Sequence, residues 1–188
     1  MGIETEFREG LVVNSGWSSW EMENWRGGSH WEDDHVKLEG ALVAVFSIPL
    51  NTVEDIKSVL ETATQWPENP LVIVAPRVTG MALKTLRMNA SQRSKMSGPG
   101  SSPWVTVQTR EMHRDRMDDI WDIAAITASV VVDPAAGNDH KDFNPAWFGS
   151  CRYAYLSEKK SEFIMYQEPR FEEALETLSL IHISEPTR

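Results

Sequence analysis

VKLEGALVAVFSIPLN (36–51), TVEDIKSVLETATQW (52–66) and PENPLVIVAPRVTGMALKTLRMN (67–89) follow one another without interruption. Ala41–Phe46 is a continuous apolar run, the pattern of a strand buried on both faces. Asn51 is a good N-cap and Glu54 stands three residues later, which approximates a capping box. Val53, Ile56, Leu60 and Ala63 then recur at helical spacing until Pro67 and Pro70 end the helix. Leu71–Ala75 is a second buried strand. Thr79 can cap a second helix, whose apolar positions include Met81, Leu83, Leu86 and Met88. Strand, helix, strand and helix in that order predict an α/β fold.

Outward from this stretch the pattern weakens. Residues 1–35 hold Trp17, Trp20, Trp25 and Trp31, punctuated by Gly10, Gly16, Gly27 and Gly28, and read as irregular or β structure with short turns. Glu32-Asp33-Asp34-His35 admits two readings, a metal site and a solvated acidic loop. No second His or carboxylate group stands at a recognisable ligand spacing, which favours the loop. Ala90–Pro103, ASQRSKMSGPGSSP, reads as a flexible loop. Trp104–Val107 reads as a strand. Arg114–Ala128 reads as a third helix with Met117, Ile120, Trp121, Ala124 and Ala125 on one side. Val130–Val132 is a short strand and Asn138–Pro145 a polar loop. Cys151–Leu156 and Glu162–Tyr166 flank the turn Ser157–Ser161 as a β-hairpin.

Composition narrows the function classes. The 188 residues suffice for one domain with a real core, and 41% are apolar. No run approaches a membrane span, and the polar, acidic opening lacks a signal peptide's apolar centre. A net charge of −10 argues against nucleic acid, whose binders neutralise phosphates with Lys and Arg. One cysteine, Cys151, cannot pair within the chain, so a reducing, cytoplasmic setting is expected. It reads as a half-buried structural thiol. There is no GxxxxGK[ST] or GxGxxG loop and no GxSxG elbow, and no histidine pair has the i, i+4 spacing of a helical zinc site. No catalytic or metal-binding constellation is visible.

Residues 178–188, LSLIHISEPTR, match the translation of a sequencing-library adapter at every position. The expected natural domain is therefore 1–177, a piece of a longer chain, followed by a non-native tail over 178–188. An ordinary C-terminal tail is the alternative.

The 36–89 stretch also resembles one family, the apical domain of the group I chaperonins, the GroEL family. Residues 70–89 are similar to its pattern P-L-x-I-x-A-x-x-V-x-G-x-A-L-x-T-L-x-x-N, filled by Pro70, Leu71, Ile73, Ala75, Val78, Gly80, Ala82, Leu83, Thr85, Leu86 and Asn89. VKLEGALVAVFSIPLN resembles the strand that opens V-x-L-E. Asp122-Ile123-Ala124 with Thr127 resembles D-I-A-x-x-T, and Phe148-Gly149 with the hairpin after it resembles the L-G-x-A segment. Glu9-Gly10 and Gly16-Trp17 fit the family's E-G and G-Y positions. The resemblance covers about residues 5–176.

The resemblance implies a three-layer β/β/α domain with a central, partly parallel sheet. It implies capture of non-native polypeptide in an apolar groove presented by two helices, which match 52–65 and 80–89. The same groove receives a co-chaperonin's mobile loop in that family. The family's groove residues fall on Trp17, Met22, Leu60, Leu83 and Met88; Lys57 and Arg87 stand where it has a leucine and a valine. Val53, Ile56, Val59 and Leu86 are assigned to the core. At full length the family assembles homo-oligomeric rings and hydrolyses ATP with Mg in a separate domain, so no cofactor and no catalytic site are expected here. Neither a nucleic-acid nor a membrane partner is expected. The departures, which include Glu111–Arg116 in place of the family's G-F-G-D-R-R, mark a divergent member. A stand-alone interaction module of the same fold and an α/β enzyme with ligand at the strand ends are the alternatives.

Overall fold

The apolar run Ala41–Phe46 is the second half of a longer strand. In the computed structural model, which describes residues 10–13, 31–32, 35–109, 114–157 and 160–166, this strand is β3, His35–Phe46. The other strands are β1 (Gly10–Val13), β2 (Trp31–Glu32), β4 (Leu71–Ala75), β5 (Trp104–Gln108), β6 (Val131–Val132), β7 (Gly149–Leu156) and β8 (Ser161–Ile164). The helices are α1 (Val53–Ala63), α2 (Gly80–Ser94) and α3 (Arg114–Thr127).

The strands join into one sheet in the order β1-β8-β7-β3-β4-β5, with β2 and β6 pairing β3 off that path. From β3 to β5 the pairing is parallel; β7, β8 and β1 are antiparallel. The expected α/β class with a central, partly parallel sheet is present. Two consecutive parallel steps in one direction, each made by a right-handed crossover, place α1 and α2 on the same face. Accordingly Ile56, Val59 and Leu60 of α1 pack with Ala82 and Leu86 of α2 over Leu71, Ile73 and Ala75. Val72 and Val74 point the other way, with Ile120, Ile123 and Ala124 of α3. All five residues of β4 are therefore buried, as a strand covered on both faces requires.

Gly40 lets β3 serve two sheet segments. Val36 and Leu38 face the same core as Ala41, Val43 and Val45, so the inward parity switches from even to odd between 38 and 41. Pairing with β7 nevertheless keeps its register, from Val36↔Leu156 to Val43↔Gly149. Gly40 has φ +63, a left-handed residue that turns the following side chains over. The Asn69 side-chain amide donates to its carbonyl at 2.9 Å and holds the bend.

Several sequence readings change. The capping residue of α1 is Thr52 rather than Asn51: Asp55 accepts from both the Asn51 and Thr52 amides, each at 2.8 Å. One residue's shift moves the carboxylate role from Glu54 to Asp55. Helix α2 runs on through Ser94, into the stretch read as loop. Ala90 is fully buried, the Arg93 guanidinium sits 4.1 Å over the Trp104 ring, and its Nε donates to the Ser102 carbonyl at 2.7 Å. Tertiary contacts outweigh the loop-like composition. On α3 the inward stripe is Ile120, Ile123, Ala124 and Thr127, while Trp121 is 53% exposed. Ile56, Val59 and Leu86 are core as expected, with Val53 half-buried. Cys151 is fully buried, and desolvation pushes its thiol up to about 12.

The polar 138–145 segment is more structured than its composition suggests. It holds 3-10 turns at His140–Asp142 and Pro145–Trp147. His140 and Phe143 fold under α1: Phe143 joins the core with Phe46, Trp147 and Phe148 around it, and its amide donates to Ser58 Oγ at 2.8 Å.

Candidate functional site

The starts of α1 and α2 are fastened to each other. Leu50 and Val78 form a parallel bridge. The Leu50 amide donates to the Arg77 carbonyl at 2.9 Å, and the Thr79 amide to the Leu50 carbonyl at 3.0 Å. Asn51's carbonyl accepts from the Ala82 amide at 3.1 Å, inside the first turn of α2. The approach demands glycine next to it. Gly80 has φ +58, and a Cβ there would stand 2.8 Å from the Asn51 oxygen. The glycine of the 70–89 pattern thus has a mechanical role: it lets α2 begin against the loop that begins α1.

Asp55 extends this clamp to the third layer of contacts. One carboxylate oxygen caps α1; the other lies 2.9 Å from His140 Nε2. Burial raises the Asp55 carboxyl pKa, but hydrogen bonds from the Thr52 and Asn51 amides and from His140 outweigh it, so the pKa is lowered. His140 Nδ1 is buried without a hydrogen-bond partner, 3.7 Å from Asp139 Oδ1. The sequence signal for Asp55 was its place three residues after Thr52; nothing in the sequence pointed to His140.

An open groove of about 720 Å³ runs along α2, lined by Gly80, Leu83, Lys84, Arg87, Met88, Ser91 and Gln92. Steps of three and four residues put these on one helix face. The opposite face, Ala82, Leu86 and Ala90, is buried. Unlike α1, with its single apolar stripe, α2 therefore carries large apolar side chains outside as well as inside: Met88 is 58% exposed and Met81 53%. Leu83 lies between the two faces, half-buried against the core cluster that contains α1.

Of the residues implied by the family resemblance, the groove brings together Leu83, Arg87 and Met88. Leu60 is only 7% exposed and packs in the core beneath α1. Lys57, one turn earlier, is exposed on α1's outer side. Trp17 and Met22 lie outside the described residues, as does the acidic pair Asp33-Asp34. Reading by family position missed Lys84, Ser91 and Gln92. Lys84 was legible, since it stands three and four residues before Arg87 and Met88.

The lining chemistry is that of a non-covalent site. It offers a leucine, a methionine, two cations and small polar groups, with no carboxylate, imidazole or thiol among the described lining residues. Among the described residues no three His, Cys, Asp or Glu side chains gather as a metal site, and no helix is long and apolar enough to cross a membrane.

No family model matches the sequence. The chain is 26% identical over 157 residues to the chaperonin GroEL 1 of Mycobacterium tuberculosis (strain ATCC 25618 / H37Rv), covering 84% of this chain and 27% of that protein. It is 26% identical over 145 residues to the chaperonin GroEL 1 of Corynebacterium diphtheriae, covering 77% and 25%. The chain thus spans about a quarter of the length of the curated relatives it matches. Its fold matches the crystal structure of the chaperonin gp146 from the bacteriophage EL 2 (Pseudomonas aeruginosa), with a TM-score of 0.60 and 14% identity, over 94% of this chain and 33% of that one. Sequence similarity over most of the chain and a fold shared with a solved chaperonin agree: the chain is similar, at a divergent distance, to a GroEL-like chaperonin domain.

Proposed function

We propose that the chain is the apical, polypeptide-binding domain of its chaperonin and captures non-native polypeptide along the groove of α2. The observation that carries this reading is the outward face of α2, where Leu83 and Met88 line an open groove while Ala82, Leu86 and Ala90 satisfy the core. A helix with enough apolar surface for the core and a second apolar edge left outside has something to bind. Fully burying one large apolar side chain contributes about 1.5–3 kcal/mol without demanding a particular sequence. Methionine suits such a surface, because its flexible thioether adapts to many shapes.

In the whole protein, several copies in a cytoplasmic ring turn weak individual contacts into avidity. A separate ATP- and Mg-dependent domain drives release, and a co-chaperonin loop competes for the same groove. The enzyme reading is the weaker one, since the groove presents cations and apolar groups rather than an acid, base or nucleophile.

The test is aggregation of a chemically unfolded client, followed by light scattering. The 188-residue chain slows it, and Met88→Glu, a substitution at an exposed position, removes most of that effect with the circular dichroism spectrum unchanged. Equal protection by the variant would refute the groove.

A further inference from the structure

We propose that Met88 is a redox-sensitive modification site: peroxide converts its thioether to the sulfoxide, and the α2 groove then loses its hold on apolar polypeptide. This rests on the groove being the polypeptide site and adds a means of regulating it.

The distribution of sulfur carries the inference. The chain has eight methionines and one cysteine. Cys151 is a poor sensor. It is fully buried in the core cluster with Ile120, Ile123 and Ala124 of α3, and desolvation keeps it from the reactive thiolate form. An oxidant therefore meets thioethers first. Among the described residues four methionines are exposed: Met81 and Met88 on α2, Met96 just beyond it and Met165 just beyond β8. Of these four, Met88 alone lines the groove.

Met88 also supplies most of the apolar surface that an occupant can cover. The large apolar side chains of the lining are Leu83 and Met88, and Leu83 is half-buried against the core. Met88 is exposed, while Ala82, Leu86 and Ala90 anchor the other face of α2. A change at its sulfur thus alters the groove's chemistry and leaves the helix packed.

The step needs no group from the protein. The sulfur lone pair attacks one oxygen of hydrogen peroxide, the O–O bond breaks as the S–O bond forms, and the second oxygen leaves as water. Sulfur loses two electrons and peroxide gains them. A flexible apolar side chain becomes a polar, chiral one, whose oxygen must give up water when an apolar segment covers it. Methionine sulfoxide reductases, one for each epimer, reverse the step, so the site can switch back.

The experiment is fluorescence anisotropy of the full 188-residue chain with a labelled amphipathic peptide of Leu, Ser and Lys, which contains no sulfur. The chain is treated with hydrogen peroxide and desalted, and the oxidised positions are read by peptide mass mapping. Affinity should fall on the order of tenfold, the effect of losing one well-buried apolar side chain, with the circular dichroism spectrum unchanged. The two reductases with dithiothreitol should restore it. Met88→Leu, close in volume, should bind as the untreated chain does and keep its affinity through peroxide; Met81→Leu and Met96→Leu should still lose it. An equal loss in oxidised Met88→Leu, or no sulfoxide at position 88, overturns the assignment to Met88. An oxidised chain that binds as before, while Met88→Glu still abolishes binding, overturns the switch and leaves the groove standing. An untreated chain that binds no peptide overturns the groove and the switch with it.

Discussion

Replacing Gly80 by alanine tests how the groove is built. Two costs apply. The residue holds φ +58, where an L side chain is disfavoured by roughly 1–2 kcal/mol. The added Cβ would also stand 2.8 Å from the Asn51 carbonyl oxygen, a backbone atom that accepts the Ala82 amide at 3.1 Å. Either the loop retreats and that hydrogen bond is lost, at about 0.5–1.5 kcal/mol, or the start of α2 shifts. The sum is about 1.5–3.5 kcal/mol, a fall in Tm on the order of 3–14 °C for a domain of this size. Gly137 supplies the control. It has φ +90 with nothing within 4 Å of its Cβ position, so Gly137→Ala bears the conformational cost alone. Urea titrations of both variants should place Gly80→Ala below Gly137→Ala by about 1 kcal/mol, at similar m-values, and Gly80→Ala alone should weaken peptide binding. Equal losses in the two variants, with binding intact, would refute the idea that close contact with Asn51 sets the start of α2.

Two further outcomes follow from residues outside the groove, Asp55 at the start of α1 and Cys151 in the core under α3. Asp55 has a folded-state pKa below its ordinary value of 3.8. Its carboxylate therefore adds stability above the unfolded-state value, and this is lost as pH falls through the folded one. Asp55→Asn should be less stable than the unsubstituted chain at pH 7, with the gap closing below about pH 4 in denaturant titrations; a gap independent of pH would contradict the linkage. The Cys151 thiol, held near 12, should resist a disulfide reagent at pH 8 in the folded chain and react at once in urea.

The strand–helix–strand–helix core of the fold was legible because its signals are local. Leu71–Ala75 is five apolar residues between prolines and a turn, and the structure gives it those same bounds. Gly80 was visible only as a position in a pattern; its reason, the Asn51 carbonyl, comes from a loop 29 residues away. The capping error at Asn51 is a one-residue slip between two adjacent residues that both cap well. What could not be read were pairings across long stretches of chain. Asp55 and His140 meet across 85 residues, and the phase reversal at Gly40 needs β7 as a reference. Leu60 and Leu83 have the same residue type and similar local pattern. Only the packed structure separates them, with Leu60 in the core and Leu83 at the groove.

The most direct measurement is site-specific photo-crosslinking. A photoreactive side chain is placed at Met88 and, in a second variant, at Ala125, which is exposed on α3, and each is irradiated with an unfolded client. Crosslinks should form from position 88 and be nearly absent from position 125. Equal crosslinking from the two positions, or crosslinking from 125 alone, would contradict capture along α2.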